Sequence, residues 1–236
     1  MSYDFDSIKK HILEEYPKEA CGFILEDDSV ISLENIAEEP TKSFKIGAEN
    51  FVKYAGRIAY IYHSHCRDRR RPSPLDLRTP SKEDLEGQIS TDVKWLIFAC
   101  DGTFVGTPLE LPRTPSDKYI DRPFIWYVND CYTMVQDYYK FELGIDLAPG
   151  KLFHVHEVRK QPAVFSQFIE EYGFTEIHPT TELQNGDLFI IDNSGYSENH
   201  LMIYHNGKLL HQDLLSREEP YENYVDRFRK RLRYVG

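Results

Sequence analysis

Two sets of residues in this chain have the types and the spacing that chemistry asks for. The first is His63-Ser64-His65, which closes the apolar run IAYIYHSH. In a β-strand residues i and i+2 point to the same side, so both imidazoles can converge on one cation. Catalytic zinc (Zn2+) usually takes three protein ligands and keeps one position open. A carboxylate is therefore expected from a following element. Asp84 in Ser81-Lys-Glu-Asp and Asp76 in Ser73-Pro-Leu-Asp both offer one. Ser81 has the character of a helix N-cap followed by acidic residues, and a helix start fixes the angle of a carboxylate. Both stay candidates for the third ligand on the residues alone, Asp84 at a helix start and Asp76 in the proline-rich loop. Glu19, just before Ala20-Cys21-Gly22, is the candidate base that takes a proton from water and hands it to a leaving amine.

The second set is Cys131, His200 and His211. Cys131 follows Asn129-Asp130 at the start of a run with helical periodicity, CYTMVQDYYKFEL, which Gly144 closes. The positive end of a helix dipole is expected to acidify such a thiol, and the thiolate is the nucleophile. The partner imidazole must come from elsewhere in the fold and be oriented by a third polar group. His200 opens the strand-like HLMIY and His211 closes KLLH, with a hairpin turn expected at Asn206-Gly207. The hairpin sets the two rings side by side, so that His211 can accept a proton from His200 and fix its tautomer. His154, His156, His178 and His205 fall at no such position.

These residues need elements to hold them. Phe5, Ile8, Ile12 and Leu13 are spaced as in a helix ending near Pro17. CGFIL and VISLENIA read as strands, and 48–54 as a short helix. SKEDLEGQ starts a helix, and WLIFACDGTFVG is strand, turn at Asp101-Gly102 and strand. LELPRTPSDKYIDRP, with prolines at 112, 115 and 123, reads as a linker. Beyond it come a helix from Cys131, another over 162–173, and the strands LFIID, HLMIYHNG and KLLHQDLL. Strands follow helices without alternating with them. The fold class is α+β, in two domains, residues 1–112 and residues 119–236.

Composition limits the rest. A formal net charge of −11 speaks against gripping nucleic-acid phosphates. The one basic cluster, Arg67, Arg69, Arg70 and Arg71, reads as a solvated loop. No apolar run reaches the roughly 20 residues of a membrane-spanning segment, and the acidic N-terminus is not a signal peptide. The cysteines, Cys21, Cys66, Cys100 and Cys131, contain no C-x-x-C pair.

Glu19, His63-Ser-His65 and the Ser-x-x-Asp downstream resemble the JAMM (JAB/MPN) metallopeptidases. That resemblance implies an αβ sandwich of the cytidine-deaminase-like kind. It implies Glu19 as general acid/base, His63, His65 and the Asp as zinc ligands, and the Ser as a donor to the oxyanion. The family's usual gap of seven residues after the second His would select Ser73 and Asp76, whereas Ser81 and Asp84 require an inserted loop of about eight. The second half is similar to the NlpC-type cysteine peptidases, a papain-like fold that usually cleaves peptidoglycan stem peptides. The motifs are NDCYTMVQDYY, NGDLFIID and NHLMIYHNGKLLHQ, followed by the basic tail LSREEPYENYVDRFRKRL. This resemblance implies Cys131, His200 and His211 as the catalytic residues. Tyr127 departs from it, since relatives commonly have Gly after the Trp. The two modules in this order resemble the lambda-like phage tail tip assembly proteins. That implies phage tail tip proteins as partners, and an action in tail assembly or in passage through the cell wall. It also implies residence in the host cytoplasm during assembly or at the tail tip. The rival expectation is a scaffold that keeps its sites idle.

Overall fold

The computed structural model describes residues 3–67, 77–150, 165, 170–193 and 196–236. The chain falls into two compact units, Met1–Thr114 and Pro115–Gly236.

The first unit is a five-stranded sheet with helices packed on it. It runs α1 (Phe5–Glu15), β1 (Cys21–Leu25), β2 (Val30–Leu33), α2 (Ala48–Lys53), β3 (Ile58–Cys66), α3 (Lys82–Thr91), β4 (Lys94–Cys100) and β5 (Leu109–Leu111). Strand order is β2-β1-β3-β4-β5, with β3 and β4 parallel and every other pair antiparallel. The helix α1 forms where its spacing predicts it, capped by the Asp4 carboxylate on Ser7 N–H. Its buried Ile8 and Ile12 pack with Ile24, Tyr62, Leu96 and Phe98 on one face of the sheet. The periodicity of two then leaves His63 and His65 to the other face.

Gly22 explains itself by crowding. A Cβ there would lie 2.2 Å from the Ile31 carbonyl oxygen and 2.6 Å from the Tyr62 ring, so only Gly lets β1 run this close to its neighbours. One expectation needs correcting. The start of the proline-rich stretch is not linker: Leu109–Leu111 pairs with Trp95–Ile97 and forms the edge strand β5. Its Leu109 and Leu111 are buried, and that burial outweighs the breaking tendency of the prolines beyond.

The second unit has α4 (Cys131–Tyr138), continued by a π-helical turn Tyr139–Leu143 that Gly144 closes at φ 69°. Then come β6 (Phe174–Glu176), β7 (Leu188–Asn193), β8 (Tyr196–His205), β9 (Lys208–Gln212), β10 (Ser216–Pro220), a 3-10 stretch Tyr221–Arg227 and β11 (Phe228–Tyr234). The sheet order is β10-β9-β8-β7-β11-β6, and each neighbouring pair is antiparallel. The hairpin turn sits at Asn206 and Gly207, both with positive φ, as a tight two-residue turn needs. Of the helix expected over 162–173, the described Glu170–Tyr172 is one 3-10 turn, and 162–164 and 166–169 lie outside the described residues. Cys131, Met134, Val135 and Tyr138 of α4 pack on Leu188, Ile190, Leu201, Ile203 and Leu210.

The basic tail is also part of the sheet. Strand β11 lies between β7 and β6, and Arg233 makes two bonds to Asp187, 2.8 and 2.7 Å. Asp187 belongs to the Asn-Gly-Asp-Leu run, so that motif anchors the last strand. A second buried ion pair ties the start of this unit to α4. Arg122 Nη1 is 2.9 Å from Asp137 Oδ2 and its Nη2 donates to Asn129 Oδ1 at 2.8 Å. Breaking a buried pair leaves a charge without its partner, at a cost of about 3–5 kcal/mol. Arg122→Ala should therefore lower the unfolding free energy by about that much in urea melts of the full chain. The paired replacement Arg122→Met with Asp137→Leu should recover most of it. An Arg122→Ala loss under about 1 kcal/mol contradicts the latch.

Candidate functional sites: a His-His-Asp cluster and a buried thiol with two imidazoles

In the first unit the parallel pairing of β3 and β4 and the cap of α3 build one cluster. Ser81 is the N-cap: its hydroxyl accepts from Asp84 N–H at 3.0 Å, and its own N–H donates to Asp84 Oδ2 at 2.7 Å. This capping box turns the Asp84 carboxylate toward β3. Asp84 Oδ1 lies 3.2 Å from His63 Nε2, Asp84 Oδ2 lies 3.2 Å from His65 Nε2, and the two Nε2 atoms are 3.2 Å apart. All three residues are buried. Phe44 stacks on His63 at 4.3 Å between centroids and Trp95 meets it edge-on at 5.6 Å.

The hydrogen-bond bookkeeping of this cluster points to a cation. His65 Nδ1 is 3.0 Å from the Leu77 carbonyl oxygen, which can only accept. Nδ1 therefore carries the hydrogen, and in the neutral ring Nε2 carries a lone pair. That lone pair faces the carboxylate of Asp84, another acceptor, with nothing between them. A metal-binding His usually gives its second N–H to a carbonyl in this way. The spacing also fits. A tetrahedron with zinc about 2.0 Å from each vertex has edges of about 3.3 Å. Within the described residues these three are the group of His, Cys, Asp and Glu side chains that could hold a metal ion, with ligand atoms within 4.8 Å of one another. Burial disfavours the charged form of Asp84, yet the rings of His63 and His65 beside it hold its carboxyl well below the usual carboxylate range.

Glu19 is buried on the same strand system. Cys21 pairs with His63 and Ser64 N–H donates to the Ala20 carbonyl. Glu19 lies two residues before Cys21, the partner of His63. Ser81 keeps its hydroxyl hydrogen available, because its oxygen is the atom used as the cap. Ser73 and Asp76 lie outside the described residues.

In the second unit Asp130 is the N-cap of α4. Its Oδ1 accepts from Thr133 N–H at 2.8 Å, and Thr133 Oγ1 accepts from Asp130 N–H at 2.8 Å. Asp130 Oδ2 accepts from Tyr127 N–H at 2.7 Å. Tyr127 has φ 64°, the left-handed region where Gly is at ease and a side chain costs roughly 1–2 kcal/mol. The chain thus carries Tyr at a position whose backbone suits Gly. Cys131 is fully buried, and the polar groups acting on its thiol include its own amide and those of Tyr132 and Leu201. Leu201 directly follows His200, so the sulfur lies beside the peptide that carries that ring. His200 Nε2 is 3.2 Å from His211 Nδ1, with the rings nearly perpendicular at 86°. With Nε2 turned to His211, Nδ1 is the other nitrogen of the His200 ring.

The electrostatics run against one expectation. Burial pushes the Cys131 thiol up to about 12 and the Asp130 carboxylate adds to it. The helix-end amides pull the other way and lose. Burial, with His211 adjacent, lowers His200 to about 3. The free site therefore rests as neutral thiol and neutral imidazole, so proton transfer must accompany attack. Glu219 was not singled out in the sequence. Its Oε2 lies 3.3 Å from His211 Nε2, and no motif spacing marks it, because it sits among charges in SREEP.

The comparisons with known proteins bear on this second site. The family model described as "NlpC/P60 family" matches residues 121–233. Residues 121–233 are thus similar to an NlpC/P60 domain. Cys131, His200 and His211 all fall inside the matched residues, as does Glu219. Along its length the chain is similar to "Tail tip assembly protein K" of Escherichia phage N15. The identity is 28% over 239 residues, covering 97% of this chain and 93% of the relative.

The resting thiol makes a checkable statement. In the unliganded full chain, iodoacetamide should modify Cys131 slowly at neutral pH, with a rate that still climbs between about pH 8 and pH 10. A rate that has levelled off below about pH 8 would mean a thiolate already formed.

Proposed function

We propose that this protein is a phage tail tip peptidase with two hydrolytic centres, a thiol endopeptidase that cuts amide bonds of peptidoglycan stem peptides and a zinc-dependent peptidase. The tail tip assignment comes from the relative of phage N15, whose printed name is a tail tip assembly protein. No helix among the described residues is long and apolar enough to cross a membrane.

The thiol centre rests on one observation: Cys131 at the capped start of α4 interacts with the backbone of Leu201, the residue after a His200 that is hydrogen-bonded to His211. In the first step the sulfur attacks the carbonyl carbon of the amide while its proton passes to His200 Nδ1. The S–H bond breaks and an S–C bond forms. His200, now an imidazolium, gives that proton to the leaving amine as the C–N bond breaks. Water then repeats the sequence on the thioester. His211 holds the ring of His200 and spreads the charge it acquires. The amides at the start of α4 offer donors for the oxyanion.

The metal centre rests on the lone pair of His65 facing the carboxylate of Asp84. His63, His65 and Asp84 would hold zinc in a JAMM-like site, and this unit is then an αβ sandwich of that family. Zinc, when bound, supplies Lewis acidity to an amide carbonyl and acidifies a water molecule. Glu19 would carry the proton from water to the leaving amine, and Ser81 would donate its hydroxyl hydrogen to the oxyanion. The natural target of this centre would be a protein of the tail tip.

Two measurements separate the centres. Cys131→Ala should abolish release of new amines from purified peptidoglycan, while a chelator leaves that release intact. Loss with the chelator and survival in Cys131→Ala would assign the cleavage to the wrong unit. Elemental analysis of the desalted full chain should give about one zinc per chain, and almost none in the His63→Ala His65→Ala double variant. A chain that holds no zinc under zinc-replete purification favours the scaffold reading for the first unit.

A further inference from the structure

We propose that Glu219 is a positioning residue of the thiol site, setting the tautomers of His211 and His200 so that the nitrogen left for Cys131 carries a lone pair. This rests on the thiol-peptidase reading above for its purpose, but not for its geometry.

The strand pairing brings the residues together. Arg217 of β10 pairs with His211 of β9, and Glu219 pairs with Leu209. Alternation puts Arg217, Glu219, Leu209 and His211 on one face, so Glu219 is the diagonal neighbour of His211. Its Oε2 reaches His211 Nε2 at 3.3 Å. The same oxygen accepts from the Tyr224 hydroxyl, and Oε1 accepts from Arg217 Nε at 3.0 Å. Partial burial disfavours the ionised form of Glu219. The Tyr224 hydroxyl, Arg217 and His211 outweigh it and hold the carboxyl below its ordinary value.

An ionised carboxylate can only accept. Facing it, His211 must carry its hydrogen on Nε2. Burial first, and Arg217 after it, lower the affinity of His211 for a second proton. The neutral ring then has a lone pair on Nδ1, the atom 3.2 Å from His200 Nε2. That lone pair requires a hydrogen on His200 Nε2, which leaves a lone pair on His200 Nδ1. Each link follows from the one before, because a neutral imidazole has one hydrogen to place. Without the carboxylate His211 is free to adopt the other tautomer. Its Nδ1–H would then face His200 Nε2 and push the hydrogen of His200 to Nδ1, where it blocks the thiol. When His200 does take the thiol proton, the negative charge of Glu219 lies behind His211 and favours the imidazolium. No oxidation state changes; one S–H bond is exchanged for one N–H bond.

The test reads the tautomers directly. Full-length chain labelled with 15N-histidine is examined by long-range 1H–15N correlation at neutral pH. The native chain should show both His200 and His211 with hydrogen on Nε2 and a pyridine-type Nδ1. Glu219→Ala should shift the two residues together toward Nδ1–H, with amine release from purified peptidoglycan falling at least about tenfold, mainly in kcat. Glu219→Gln, which keeps an acceptor oxygen, should restore part of both signals. A native His211 with hydrogen on Nδ1 overturns the proposal without any variant. So does a folded Glu219→Ala chain whose two histidines keep the native pattern. If the tautomers are as stated but Cys131→Ala still releases amines at the native rate, the peptidase reading fails and the positioning role stands.

Discussion

The carboxylate of Asp84 does two things at once. Its Oδ2 closes the capping box of α3 by accepting Ser81 N–H, and both its oxygens turn toward the Nε2 atoms of His63 and His65. A helix needs its first N–H groups satisfied, and here the same residue that meets that need is carried into the interior beside two imidazoles. The second unit repeats the device with different chemistry. Asp130 caps α4 through Thr133 and also holds Tyr127 N–H, and the next residue is the buried Cys131. In both units a capping box fixes one reactive group, and strands bring histidines to it. The strands are positioned by their cores: Ile8, Ile12 and Phe98 on one sheet, Met134, Val135 and Leu201 on the other.

Burial then decides the resting state of each centre. Around Asp84 two adjacent imidazoles overcome desolvation and keep the carboxylate ionised. An ionised carboxylate beside two imidazole nitrogens is a donor set that suits the proposed cation. Around Cys131 desolvation wins, and the thiol and the His200 ring both sit neutral. A neutral pair tolerates a dry site at little cost. In the proposed peptidase it places the burden of catalysis on what stabilises the imidazolium once formed, the part proposed for the His211 ring and the carboxylate behind it.

Much of this was legible in the residues. His63 and His65 share a face because a strand has a period of two, and Ser81 announced its own cap. The Asn206-Gly207 turn sets Met202 opposite His211 and so makes His200 its diagonal neighbour. Gly22 and Asp187 lay in runs read as motifs, and their reasons are now visible in a close backbone approach and in the bond to Arg233. Other parts were hidden because charge disguised packing. FRKRLRY belongs to what reads as a basic tail, yet it forms β11. Arg231 spreads over the rings of Phe189, Tyr221 and Phe228, and Arg233 is bound by Asp187. Leu109–Leu111 was lost among prolines. Glu219 was one acid among several, and only the register of β9 against β10 singles it out. The helix dipole argument for Cys131 failed because it counted the amides and left out desolvation.

The account turns on the buried cluster of His63, His65 and Asp84, whose two Nε2 atoms and carboxylate converge. X-ray absorption at the zinc edge, on full chain loaded with one equivalent of zinc, reads that cluster directly. The account predicts a four-coordinate ion with nitrogen and oxygen neighbours at about 2.0 Å and the outer-shell scattering of two imidazole rings. A sulfur shell near about 2.3 Å, or a hydrated ion with no imidazole scattering, would contradict it.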